Sequence, residues 1–290
     1  MKIVHLSGGL GNQLFIWQFA HSLHEITRST IIVLDCYDLA DLHQPHLKEL
    51  KKYCSHRIWI IKLPSFLNPF VLYDFFESRN KTKSLPRAIW RRIYSPIDPS
   101  EVPSTEQMKN CTLFRLFCQS ADFVNKNFYL IDIEIRKLLK TYSNYKSSIK
   151  DFDLSQVVHM RRGDFKANLS TIGCLTNRYF ENLISPNSSY VLHTDEELAN
   201  SGGLAGGAAH IFDGSHSPWL VLAHGSAAKT FIGSNSTLSW WAAFLNNDEN
   251  SRILLPQPWY ITESIIETSL KLDKVSYITS EFMAKEEFKE

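Results

Sequence analysis

What most restricts the fold of this chain is a repeated alternation in its second half. Residues 156–160, 190–193, 211–212, 229–232 and 253–255 are short apolar runs of strand length. Helical patterns follow several of them, around 178–184, 219–223 and 238–245. Near-continuous apolar strands alternating with helices are the signature of a parallel, doubly wound sheet with helices on both faces. The glycine-rich segment 201–209 reads as a flexible connection, and Ser236 or Thr237 makes a fitting N-cap for the helix that follows. The first half opens in the same way. Lys2-Ile3-Val4-His5-Leu6 reads as a strand, residues 7–13 as a glycine-rich turn, the segment from Leu14 as a buried helix, and 31–35 as a second strand. Leu14 stands where the third glycine of a dinucleotide fingerprint would be, so that motif is not met. Further on, residues 113–118 suggest a strand and 128–139 a helix. The polar stretch 142–153 reads as a linker, which divides the chain into domains 1–150 and 151–290.

Composition enters mainly by exclusion. A formal net charge of +1 on 290 residues argues against nucleic-acid binding by bulk charge. Cys36, Cys54, Cys111, Cys118 and Cys174 are scattered, with no ligand spacing for zinc and no disulfide framework. That usage suits a reducing compartment, so the expected location is cytoplasmic. No run approaches the length of a membrane span, and the apolar start is too short for a signal peptide. Between Pro45 and Pro103 the periodicity is poor. Within it, Arg79, Lys81, Lys83, Arg87, Arg91 and Arg92 interleave with apolar residues. A solvated helix face is the stronger reading; peripheral contact with the inner membrane surface is the functional alternative.

The chemistry concentrates in the loops after the second-half strands. His159-Met160-Arg161-Arg162-Gly163-Asp164 puts an imidazole, two guanidiniums and a carboxylate at one strand end. In open α/β sheets ligands bind outside the carboxyl ends of the strands, and an arginine fork there matches a phosphate. The plain alternative is a solvated loop whose Arg and Asp pair with each other. Thr194-Asp195-Glu196 and Ser234-Asn235-Ser236-Thr237 end two further strands, and parallel topology brings all three loops to one edge. Asp195 could accept from a base or a sugar, or serve only as an N-cap. Hydroxyls and amides at the helix start could complete an anion site. No glycosidase carboxylate pair, no nucleophile elbow and no P-loop occurs. Asp151-Phe152-Asp153 has the spacing of a carboxylate metal motif but falls in the linker, so no metal is expected.

Taken together, three strings resemble the signatures of the bacterial alpha-1,2-fucosyltransferases: Gly8-Gly9-Leu10-Gly11-Asn12-Gln13-Leu14-Phe15, His159 to Asp164, and Ser234 through Ala243. Phe117-Cys118-Gln119-Ser120 and Pro256-Gln257-Pro258-Trp259 resemble weaker features of that family. The resemblance implies a GT-B fold, with two Rossmann-like domains facing a cleft. It implies GDP-L-fucose as donor, a galactoside or lipid-linked glycan as acceptor, inversion at the anomeric carbon, and no required metal or cofactor. Arg161 would bind the β-phosphate, His159 would lie near the nucleotide, and Arg162, Asp195, Ser234, Asn235, Ser236 and Thr237 would complete the donor site, although alternation along the strand and loop points Arg162 away from Arg161, toward a structural carboxylate. Gly11, Asn12 and Gln13 would close it from the first domain. Asp164 or a first-domain residue would act as base, unless a phosphate oxygen takes the proton in a dissociative route. Ile16 stands where the family usually has Gln, Glu196 replaces a second Asp, and the acidic residue common near Val221 is missing. Other readings are a transferase using another nucleotide sugar, a sugar-nucleotide binder without turnover and, most weakly, adhesion through Arg162-Gly163-Asp164.

Overall fold

A computed structural model of the chain describes residues 1–37, 49–53, 57–64, 101–144, 153–186, 188–197, 202–262 and 269–284. The basic run 79–92 and Asp151 lie outside these residues. The chain forms two compact units, Met1–Arg136 and Lys137–Glu290. The division falls within the Asp132–Asn144 helix, ahead of the boundary at 150 expected from polarity. The end of that helix belongs to the second unit, where Tyr142 stacks on the buried Trp219 with ring centroids 6.2 Å apart. The helix therefore extends into the presumed linker.

Both units are α/β with an all-parallel sheet, the class expected from the alternation. In the first unit the strand order is β3-β2-β1-β4, with β1 Lys2–Leu6, β2 Ile31–Tyr37, β3 Ile58–Pro64 and β4 Leu113–Phe114. β3 lies in the stretch of poor periodicity. It carries the apolar run Ile58-Trp59-Ile60-Ile61, yet its burial is uneven and Trp59 is 56% exposed. β4 keeps only the first two residues of its expected span. The glycine-rich segment is shorter than expected. Gly8 takes a positive φ of 75°, Gly9 caps in extended geometry, and the helix Leu10–Thr27 starts at once. Gln13 N donates to Gly9 O in its first turn. Gly11, Asn12 and Gln13 are therefore helical rather than part of a loop. That helix is buried almost all round. Its buried Gln18 donates its Nε2 to Val124 O at 2.9 Å.

The second unit has the order β10-β9-β8-β5-β6-β7. Its strands are β5 Gln156–Met160, β6 Val191–Thr194, β7 His210–Phe212, β8 Thr230–Ile232, β9 Arg252–Gln257 and β10 Ser276–Thr279. From β5 the chain builds outward through β6 and β7, then returns to β5's other side for β8, β9 and β10. This is the Rossmann order, with the reversal between β5 and β8. Every residue of β5 is buried, which is why the strand read as a continuous run. Val158, Met160, Phe180, Leu192, Ile232 and Leu254 form the core of one face. Burying each such side chain contributes about 1.5–3 kcal/mol. The supposedly flexible 201–209 segment holds a short helix, Gly203–Gly207. Leu204 inserts into the core and its carbonyl accepts from the Tyr190 hydroxyl, so packing overrides the poor helix propensity of glycine.

Candidate functional site

The reversal between β5 and β8 places two loops side by side at the carboxyl ends of the sheet. Ser234 joins them. Its hydroxyl donates to His159 O and accepts from Arg161 N, both at 2.8 Å. Gly233 permits the close seat, since a Cβ there would lie 2.5 Å from Leu255 and 2.8 Å from Ser239. Ser234 N in turn donates to Ser239 Oγ at 3.0 Å. Ser239 Oγ lies 2.7 Å from His159 Nδ1. With one lone pair engaged by Ser234 N, Ser239 Oγ still has a proton to give to a bare Nδ1 and a second lone pair to accept from a protonated one, so it pairs with either neutral tautomer. Burial depresses the His159 pKa to about 4; the Asp195 carboxylate opposes that shift and Arg161 reinforces it. His159 is thus a neutral strand-end histidine near pH 7, held through Nδ1 by Ser239 beside the Ser234 loop.

The two arginines divide in role. Arg162 is 1% exposed. Its Nε donates to Leu175 O at 2.9 Å, and its Nη1 pairs with Glu196 at 2.9 Å. Lys166 pairs with the other Glu196 oxygen at 2.7 Å. Arg162, expected among the donor contacts, is turned into the protein and anchors the neighbouring loop. Arg161 faces outward, with a side chain 29% exposed. Its Nη2 pairs with Asp164 at 2.8 Å and its Nη1 with Asp195 at 2.7 Å. The Arg–Asp pairing foreseen as the plain reading is therefore present, alongside a second carboxylate. Asp195 also accepts from Arg162 N at 2.7 Å. Gly163 is what admits Asp195 so closely: a Cβ on it would meet Asp195 Oδ2 at 2.5 Å.

Of the remaining expected residues, Asn235 is 1% exposed and its amide donates to Ile172 O and Gly173 O, which fixes the neighbouring loop. Ser236 is the N-cap of the helix Thr237–Leu245, accepting from Leu238 N. The helix start brings the positive end of its dipole to this edge of the sheet. Gly11, Asn12 and Gln13 belong to the first unit. There Asn12 Oδ1 accepts from Gln119 Nε2 at 2.9 Å and Gln13 Nε2 donates to Gly8 O at 2.8 Å, at the ends of β1 and β4. Sequence reasoning assigned no role to Ser239, Lys166 or Glu196. Ser239 sits inside a recognised string, but its partnership with His159 spans eighty residues. Lys166 had a local cue, since it follows Arg162 by one helical turn.

At the β6 and β7 ends, His193 Nε2 and His224 Nδ1 are 2.9 Å apart, and His193 stacks on Phe212. Burial, then the neighbouring His224, His159 and His216, hold His193 well below the usual imidazole range. Among the described residues no group of three or more His, Cys, Asp or Glu side chains is placed to hold a metal ion. No helix among them is long and apolar enough to cross a membrane.

No protein-family model matches the chain. It is similar to an alpha-1,2-colitosyltransferase of Escherichia coli, 26% identical over 300 residues, covering 91% of this chain and 93% of the relative. It is also similar to the O-antigen biosynthesis glycosyltransferase WbnK of Escherichia coli, 24% identical over 289 residues and covering 88% and 93%. Among solved structures, POFUT1 in complex with GDP aligns with a TM-score of 0.44 at 11% identity, over 83% of this chain and 93% of that one.

Proposed function

We propose that this chain is an inverting glycosyltransferase of the GT-B type. In this reading it moves L-fucose from GDP-L-fucose to the 2-hydroxyl of a galactoside acceptor in the synthesis of a bacterial O-antigen or surface polysaccharide. The observation that carries the reading is the seat of Arg161, an outward-facing guanidinium at the point where the strand order reverses. The two glycosyltransferase relatives, each aligned along most of both chains, support sugar transfer as the reaction class.

In this mechanism the acceptor oxygen forms a bond to the anomeric carbon. The bond from that carbon to the β-phosphate oxygen breaks, and its electron pair leaves with GDP. Negative charge grows on the β-phosphate, so a fixed guanidinium and the start of the Thr237–Leu245 helix stabilise the transition state more than the ground state. Asp164 takes the acceptor proton; a phosphate oxygen is the competing sink in a dissociative route. His159, Ser234, Asn235, Ser236 and Thr237 hold the edge of the sheet on which the donor rests.

A second reading is favoured by one observation, the alignment with a colitosyltransferase: the transferred sugar would then be colitose, with the same α-1,2 linkage. Free GDP release and product linkage, measured with fucose and colitose donors against a panel of β-galactosides, separate the two. GDP release from the fucose donor that depends on acceptor supports the first reading. Turnover confined to the colitose donor would replace it with the second, and binding without turnover by either would leave only a sugar-nucleotide binder.

A further inference from the structure

We propose that Asp164 is an intramolecular counter-ion that pairs with Arg161 until a diphosphate displaces it, so that the loop competes with incoming anions for its own guanidinium. This rests on the reading of Arg161 as the diphosphate contact. Both terminal nitrogens of Arg161 carry a carboxylate, Asp164 at 2.8 Å and Asp195 at 2.7 Å. An anion that arrives while both remain meets two negative charges around one positive charge. One carboxylate has to leave.

The two are not equivalent. Asp195 is 17% exposed, and its other oxygen accepts from Arg162 N at 2.7 Å. The absent side chain of Gly163 gives it a fitted seat, because a Cβ there would overlap its carboxylate. Asp164 is 49% exposed and opens the short turn Asp164–Asn168 immediately after Gly163. It is tied to Arg161 at a separation of three residues, the kind of surface pair that resists an incoming anion by no more than about fivefold. A diphosphate presents more charge and two oxygens to the guanidinium fork, so it outcompetes a single exposed carboxylate. Asp195 stays and keeps Arg161 aimed. The consequence for the reaction is an order of events: the Asp164 carboxylate is unpaired, and competent to take a proton, only once the donor is in place.

The test is calorimetric titration of the full chain with GDP and, separately, with inorganic pyrophosphate. The proteins are the wild type, Asp164→Asn, Asp164→Ala and Asp195→Asn, with melting temperatures as the check on folding. Both Asp164 variants are expected to bind the two probes roughly three- to fivefold more tightly than wild type. The gain should shrink at high salt, where exposed charges are screened. Asp195→Asn is expected to bind more weakly, because Arg161 loses its fixed partner. Tight GDP binding by wild type with no gain in either Asp164 variant overturns the counter-ion and leaves the donor assignment standing. Failure of every protein to bind either probe removes the donor assignment and the counter-ion together.

Discussion

Arg161 and Arg162 are adjacent, equally charged and unlike in consequence. Arg161 meets solvent with its fork; Arg162 is buried against Glu196 and Leu175. If Arg161 stabilises charge on the departing GDP, Arg161→Lys should cost nearly as much turnover as Arg161→Ala, roughly 100- to 1000-fold, because lysine keeps the charge but not the paired planar donors. Steady-state turnover of the two folded variants decides this, and near-normal activity in Arg161→Lys would reduce Arg161 to a generic positive charge. Arg162→Ala should act on stability instead. Removing one member of a buried ion pair strands the other, at about 3–5 kcal/mol, and Lys166 reaches only one Glu196 oxygen. Chemical denaturation should show that loss, and an unchanged unfolding midpoint would contradict it. At this scale the sequence disclosed that two guanidiniums stood at a strand end. Which one faced outward depended on a glutamate thirty-four residues away and on the seat Gly163 leaves for Asp195.

Strands β5 and β8 and the helix Thr237–Leu245 act as one element through Ser234 and Ser239. Ser239 Oγ serves both Ser234 N and His159 Nδ1 in a fully buried position. Ser239→Ala should leave those two groups without their partner, at a cost of about 1–3 kcal/mol. It should also loosen the backbone at Arg161, which hangs on the Ser234 hydroxyl. Amide hydrogen exchange at Arg161 is the measurement, and unchanged protection in Ser239→Ala would show that the strap is not held from the helix. Strand β5 was legible because its apolar run is uninterrupted. β10 was not, because an edge strand with exposed ends carries no such run. The Gly203–Gly207 helix was misread for the same reason in reverse: its composition argues for a loop, while its burial comes from Leu204 docking in a distant core.

Across the whole molecule, each unit holds a largely shielded histidine that resists charging. His21 in the first unit and His159 in the second are depressed to about 4 by burial, with His24 adding to the shift at His21. A histidine with a folded pKa below its unfolded value of about 6.5 leaves stability intact above pH 6.5, and stability falls as pH drops toward 4. Each contributes about 3 kcal/mol at the acid limit. Melting temperature should decline between pH 6.5 and 4.5, and His21→Gln or His159→Gln should flatten part of that slope; parallel slopes in all three proteins would contradict it. Turnover is expected to survive EDTA, since Arg161 and a helix start supply the positive charge in the proposed mechanism; loss restored by manganese or magnesium would reject that. The sequence by itself determined the α/β class, the strand-end position of the charged loops and most second-half elements, because these follow from local periodicity and from chain direction in a parallel sheet. Only the tertiary structure decided where the sheet reverses, which carboxylate buries Arg162 and which carboxylates close on Arg161. Those outcomes depend on contacts between residues far apart in sequence, whose packing no local pattern encodes.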